Sequence, residues 1–365
     1  MNGALLAVVG GGTGGHVYPG VAVAEAWRAA GGRVIYLGSE KGMEARVVPP
    51  LGIPFEAVPA RRLKNAGVLE RLKTLLSLPG ALWTGRALLK RLDPAVVLGV
   101  GGYVSGPVVL AAALGRRPCA VAEQNARPGL TNRILSRFVS RVYGAFPEVA
   151  DRLPKRKVRL LGNPVRDAIQ AAALTAPEAG RGRHLLILGG SQGARALNRL
   201  LPGAVKRLRV RFTDLVVVHQ TGRDKDAEVR DLYGDLLSAD PAGVTVVPFI
   251  DDMASAIVAA DLVVARAGAT TVAELACIGR PALYVPFPQA ADDHQAANAQ
   301  AAVQAGAAAM EREEALTEDS LVAKLEALLT YPATLAEMGR KAKALGRPRA
   351  AADIAADLQA LGGVA

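Results

Sequence analysis

Residues 261–299 read DLVVARAGATTVAELACIGRPALYVPFPQAADDHQAANA. The run Leu262 to Ala265 is short, apolar and rich in valine, which predicts a buried strand. Arg266, Ala267 and Gly268 interrupt it. Thr270 and Thr271 then open a segment whose apolar residues, Val272, Leu275 and Ala276, have helical spacing. Gly279, Arg280 and Pro281 end that helix, and Ala282 to Val285 make the next strand. Strand, turn, helix and strand in this order form the unit of a parallel α/β sheet. The turn puts small residues and backbone N–H groups at a helix N-terminus, whose partial positive charge suits a phosphate. Glu274 stands one turn further on, and its two acceptor oxygens match a vicinal diol such as a ribose. The plainer reading makes Glu274 a solvated helix residue and Gly268 an ordinary turn.

The loop after the second strand favours the ligand reading. It carries Asp292, Asp293, His294, Gln295 and Asn298, five side chains suited to hydroxyl groups and not to a core.

At 365 residues the chain is long enough for two or three domains. Apolar residues make up 51% and aromatics only 4%, so the cores are built of Ala, Val and Leu. No apolar run approaches the roughly 18 residues of a membrane span. The apolar start, MNGALLAVV, has no basic leader and turns into glycines, which predicts a first strand and not a signal peptide. Cys119 and Cys277 both lie in apolar contexts and read as buried residues of a reducing cytoplasm. No cysteine and histidine cluster has metal-ligand spacing. Charge is uneven: residues 1–165 hold 23 Lys+Arg against 9 Asp+Glu, while residues 166–365 hold 21 against 24. The basic half is expected to face something anionic.

From the N-terminus, residues 4–9 form strand one, followed by GGGTGGH at 10–16 and a helix that ends at Gly31-Gly32. Gly10, Gly12 and Gly15 spell a dinucleotide fingerprint, but Gly38 and Ser39 stand where such a site wants an acid. His16 at the helix start is either a packed polar group or a base or sugar contact. Residues 61–91 alternate basic and apolar residues around Trp83, with Pro79-Gly80 expected to break them into two amphipathic pieces. That pattern fits a partly buried stripe and also a membrane-surface patch. Strands are expected at 95–100, 119–122 and 141–145. GGYVSGP follows the first of these, and Glu123, Gln124 and Asn125 follow the second. KRKVRLLGNPVR at 155–166 reads as a connection between domains, turning at Asn163-Pro164. The pattern then restarts with a strand at 184–188, GGSQGAR at 189–195, and strands at 215–219 and 244–247. Asp224 and Asp226 resemble an Asp-x-Asp metal signature, but their charged run reads as solvated surface. Residues 332–365 are Ala-rich helix with a break at Arg347-Pro348.

GGTGGH at 11–16, GGYVSGP at 101–107, EQN at 123–125, GNPVR at 162–166, GGSQGAR at 189–195, FIDDM at 249–253 and GATTVAE at 268–274 occur in this order across nearly the whole chain. Together they resemble the MurG family of cell-wall glycosyltransferases, family 28. The resemblance implies an α/β chain of GT-B fold: two Rossmann-like domains with parallel sheets facing across a cleft. The domains would be 1–163, acceptor- and membrane-facing, and 164–346, which binds the donor. The C-terminal helix, about 347–365, would pack back on the first. It implies an inverting transfer of GlcNAc from UDP-GlcNAc to the 4-hydroxyl of MurNAc in lipid I, giving lipid II, with no metal and no cofactor. The partners implied are UDP-GlcNAc and lipid I. The basic patch at 61–91 is expected to meet the anionic cytoplasmic face of the cell membrane, and the basic half, without aromatic interleaving, is not expected to bind nucleic acid.

Carried over by residue, the resemblance puts the Ile250 backbone on the uracil and Glu274 on the ribose diol. Ser191 and the turn Ala269, Thr270 and Thr271 would meet the diphosphate, with Val272 and Ala273 continuing that wall and Arg166 nearby. Gln295 would hold the GlcNAc hydroxyls; Gln289 competes for that role, and His294 has no counterpart. Thr13, Gly14, Gly15 and Asn125 would close on the sugar, and Gly101, Gly102 and Tyr103 would face the acceptor. His16 and Glu123 both stand as candidate bases, His16 because imidazole titrates near neutrality. Two other classes remain at this stage. One is a UDP-GlcNAc 2-epimerase of the same architecture, and the other a nicotinamide-dependent dehydrogenase resting on the glycine fingerprint alone.

Overall fold

A computed structural model describes residues 3–59, 68–190, 193–240 and 242–364, without the side chains of 68–78. Among the described residues the apolar runs form thirteen strands, most of them ended by glycine, proline or a polar residue. The first seven are β1 (Leu5–Gly10), β2 (Arg33–Gly38), β3 (Phe55–Ala57), β4 (Val96–Gly101), β5 (Cys119–Glu123), β6 (Arg141–Gly144) and β7 (Val158–Leu160). They pair in parallel in the order β3-β2-β1-β4-β5-β6-β7. The other six are β8 (His184–Leu188), β9 (Val216–Gln220), β10 (Val244–Val247), β11 (Leu262–Ala265), β12 (Ala282–Tyr284) and β13 (Ala308–Met310). Their order is β10-β9-β8-β11-β12-β13, also parallel.

Parallel strands covered on both faces must be apolar on both. Leu6 and Val8 of β1 join one core with Trp27, Leu98 and Val100. Ala7 and Val9, the alternate residues, join another with Val97, Val108 and Val121. In the second sheet Leu185, Ile187, Leu262 and Val264 pack with Leu197, Leu201, Leu321 and Leu325.

The chain divides into two compact units, Met1–Arg166 with Arg349–Ala365, and Asp167–Pro348. The helix Ala350–Leu361 belongs to the first: Ile354, Ala355 and Leu358 enter its core. Tyr143 donates to Asp357 at 2.8 Å beside them. The expected break at Arg347-Pro348 falls between this helix and Pro332–Leu345.

Two local expectations are corrected. Residues 155–166 are not merely a connection, because Val158–Leu160 extends the first sheet as its edge strand, paired with β6. Pro79-Gly80 does not split residues 61–91 into two helices: one helix runs Val68–Leu92 with Pro79 inside it. A mid-helix proline removes one backbone donor and favours a bend, but it leaves the remaining i to i−4 bonds in place. Residues 60–67 lie outside the described residues.

Candidate active site

In each sheet the strand order reverses between two neighbours, β1 and β4 in the first and β8 and β11 in the second. Open α/β sheets bind ligands at the carboxyl ends of such strands. The glycine motifs fall there.

In the first unit the loops after β1 and β4 touch. Gly11 N–H donates to Gly101 O at 3.3 Å. Gly102 has φ +81°, and a Cβ there would lie 2.3 Å from Gly11 O, so only glycine permits this approach. A residue absent from the sequence expectations organises the first loop. Glu44 is fully buried. It accepts Gly12 N–H at 2.8 Å, and Ser39 N–H and Oγ–H at 2.8 and 2.7 Å. Burial alone would raise its carboxyl, but these bonds outweigh it and hold the group below the usual carboxylate range. A Cβ on Gly11 would fall 2.0 Å from the Glu44 carboxyl carbon. The glycines thus make room for a carboxylate inside the loop. Ser39 and Glu44 follow the end of β2 where a dinucleotide site would carry its ribose acid, and both are turned to the loop.

His16 opens the helix Gly14–Ala29, next to Thr13, Gly14 and Gly15. Its Nδ1 lies 3.2 Å from Oε1 of buried Gln124, whose Nε2 donates to Val100 O at 3.1 Å. A Cβ on Gly101 would be 2.6 Å from His16 Nδ1, so the ring lies against that glycine. Tyr103 joins the group, since a Cβ on Gly12 would meet its ring at 4.0 Å. Glu123 is only 2% exposed. Its Oε1 accepts from Asn125 N and Nδ2 at 3.0 and 3.3 Å. Its Oε2 accepts from Gly129 N and Asn132 Nδ2 at 3.1 and 2.8 Å. Both oxygens serve the loop that carries Asn125.

In the second unit, Gly189 and Gly190 follow β8. Gln220 brackets Gly190, accepting its N–H at 3.0 Å and donating to its carbonyl at 3.1 Å. Ser191 lies outside the described residues. After β11, the helix Ala269–Ile278 begins at Gly268 with no side chain capping it. Its first-turn N–H groups, from Ala269, Thr270 and Thr271, lie at the carboxyl end of the sheet. Val272 and Ala273 continue that turn. Glu274, one turn in, is buried. Gly279 ends the helix in the left-handed region at φ +79°.

Arg266 braces the turn, donating to Val285 O and Pro286 O at 3.1 and 3.2 Å and pairing with Glu313. Gln295, near the start of the helix His294–Gln304, accepts Phe287 N–H at 3.0 Å. That leaves its amide N–H groups as the hydrogen-bonding end it offers. The five-residue polar set at 292–298 divides. Asn298 is fully buried and donates to Ala267 O at 3.1 Å, so it braces the turn and belongs to the core. Asp293 pairs with Arg312 at 2.9 Å, and His294 Nδ1 sits 2.7 Å from Ala291 O. Ile250 is half-buried just after β10, and Arg166 is half-buried at the end of the first unit. Asp226 faces Arg230 at 3.7 Å. Among the described residues no three His, Cys, Asp or Glu side chains are grouped to hold a metal.

Two Rossmann-like units, each with a parallel sheet and glycine loops at its switch point, define an α/β chain of the GT-B class. The model of the glycosyltransferase family 28 N-terminal domain matches residues 6–144, and that of the family 28 C-terminal domain matches residues 184–354. The chain belongs to glycosyltransferase family 28 and is a glycosyltransferase. It is 47% identical over 352 residues, 95% of this chain and 91% of the relative, to a protein of Anaeromyxobacter sp. (strain Fw109-5). That protein is named UDP-N-acetylglucosamine--N-acetylmuramyl-(pentapeptide) pyrophosphoryl-undecaprenol N-acetylglucosamine transferase. A Myxococcus xanthus protein of the same name is 46% identical, over 96% of this chain and 92% of the relative. The crystal structure of Acinetobacter baumannii MurG superposes with a TM-score of 0.81 at 34% identity, covering 98% of this chain and 99% of that one. UDP-GlcNAc 2-epimerase from Neisseria meningitidis shares the fold alone, at TM-score 0.68 and 15% identity, over 98% of this chain and 99% of that one.

Proposed function

We propose that the chain transfers N-acetylglucosamine from UDP-GlcNAc to the 4-hydroxyl of MurNAc in undecaprenyl-pyrophosphoryl-MurNAc-pentapeptide, lipid I, giving lipid II with inversion at the anomeric carbon. One observation carries this reading: relatives named for that transfer are nearly half identical along almost the whole chain.

The donor belongs to the second unit. The uncapped N-terminus of the helix Ala269–Ile278 offsets the charge that grows on the leaving diphosphate. Ser191 adds a contact there. Glu274 takes the ribose diol, the Ile250 backbone takes the uracil, and Gln295 donates its amide hydrogens to the sugar hydroxyls. In the first unit, His16 takes the proton from the acceptor hydroxyl. Glu123 is assigned to the loop instead, because four donors occupy its two oxygens. Thr13, Gly14, Gly15 and Asn125 contact the transferred sugar, and Gly101, Gly102 and Tyr103 receive the acceptor.

The acceptor is a lipid, yet among the described residues no helix is long and apolar enough to cross a membrane. Docking is therefore reversible, on the anionic cytoplasmic face, through residues 61–91. Trp83 is 74% exposed on the helix Val68–Leu92, and Leu114 stands exposed at the end of the helix Ser105–Leu114 packed against it. Each engaged cation adds about 1 kcal/mol near an anionic leaflet, less as salt screens it. The test of the reaction is transfer of labelled sugar from UDP-GlcNAc to a lipid I analogue. A 2-epimerase would instead turn over UDP-GlcNAc with no acceptor present.

A further inference from the structure

The geometry points to Gln124 as the positioning residue that fixes the tautomer of His16, holding its proton on Nδ1 and its lone pair on Nε2. This rests on the reading of His16 as the base that deprotonates the acceptor.

Gln124 is 2% exposed, so both ends of its amide need partners inside the fold. Its nitrogen lies 3.1 Å from Val100 O. A backbone carbonyl can only accept, so the NH₂ group must face it. The reverse orientation would set two acceptor oxygens against each other in a buried place. The amide oxygen therefore faces His16 Nδ1 at 3.2 Å, and an amide oxygen can only accept. The proton of neutral His16 is thereby placed on Nδ1, which leaves Nε2 as the basic nitrogen. When Nε2 takes up a proton, the bond from Nδ1 to Gln124 becomes charge-assisted and strengthens. Val100 and Gly101 are neighbours in β4: one carbonyl orients the glutamine, and the missing side chain of the next residue seats the ring. The three partners come from separate stretches of chain, 24 and 108 residues apart.

The wrong tautomer of a catalytic histidine removes it from the reaction even when the ring stays in place. The test uses the full-length protein with nitrogen-15 labelled histidine. The chain has four histidines, and His16→Asn identifies the resonance of His16. The parent protein is expected to show His16 with Nδ1 protonated. Gln124→Met, of similar shape but without hydrogen bonds, is expected to lose that preference. Its kcat should fall by at least about tenfold, while KM for UDP-GlcNAc stays within about twofold. A parent His16 protonated on Nε2 would overturn the proposal without any variant. So would a Gln124→Met enzyme with the parental kcat. A fully active His16→Asn enzyme would overturn the base reading instead, while the parent spectrum still decides the tautomer.

Discussion

The N–H of Gly12 donates to Glu44 Oε2 at 2.8 Å, across 32 residues of sequence. This bond ties the first glycine loop to the segment after β2. A buried carboxylate thus sits in a loop whose sequence advertises a phosphate.

Glu44→Gln is expected to destabilise the protein by about 1–3 kcal/mol at pH 7, since it puts an amide among three donors. The folded-state pKa of Glu44 is lowered, so its contribution is present above the ordinary carboxylate pKa. It is lost as pH falls through the lower, folded value. Urea unfolding of parent and variant should show a full gap at pH 7 that narrows below pH about 4. A gap that stays constant into strong acid would contradict the assignment.

His219 lies in the core of the second unit, between Tyr233 and Asn198 at 3.1 and 3.3 Å. Burial lowers its pKa to about 3 from an ordinary 6.5. Here the unfolded chain binds the proton first, so stability falls as pH drops below 6.5 and continues to fall towards 3. The expected slope is about 1.4 kcal/mol per pH unit from this residue. His219→Gln should unfold more easily at pH 7 but lose less on going to pH 5. Equal slopes in variant and parent would show that another group sets the acid response.

How far the sequence anticipated this depends on distance along the chain. β1, β4, β8 and β11 were legible because each apolar run ends at a glycine or at the ARAG turn. The helix Ala269–Ile278 was legible because Gly268 and Gly279 bracket it. Glu44 and the Gln124 bridge were not, because the sheet order alone brings them to the glycine loop and His16. The helix through Pro79 was missed because proline weighs more in a local reading than the turns on either side of it. Asn298 was misread because its neighbours are polar, while the fold turns it inward to Ala267.

Glu274→Gln, which keeps the size and shape of the side chain, is expected to raise KM for UDP-GlcNAc. Losing a charge-assisted bond to the ribose diol costs on the order of 1.5–3 kcal/mol, which is more than tenfold in donor use. Steady-state kinetics against UDP-GlcNAc check it. Parental kinetic constants would remove Glu274 from the donor site.

Trp83→Ser combined with Arg86→Glu should weaken binding to anionic vesicles. Both residues are exposed, so the fold should be unaffected. Binding by the parent should fall as salt rises. Turnover on a soluble acceptor analogue should persist in the variant. Sedimentation with vesicles equal to the parent's would place docking elsewhere.

The most direct measurement follows the anomeric carbon. UDP-GlcNAc labelled at C1 is incubated with a lipid I analogue, and the product is read by NMR. The account predicts a β-linked GlcNAc on the 4-hydroxyl of MurNAc, formed one for one with UDP, and no turnover in the absence of the acceptor. Label found in an α-linkage, or retained on UDP as the C2 epimer without acceptor, would contradict it.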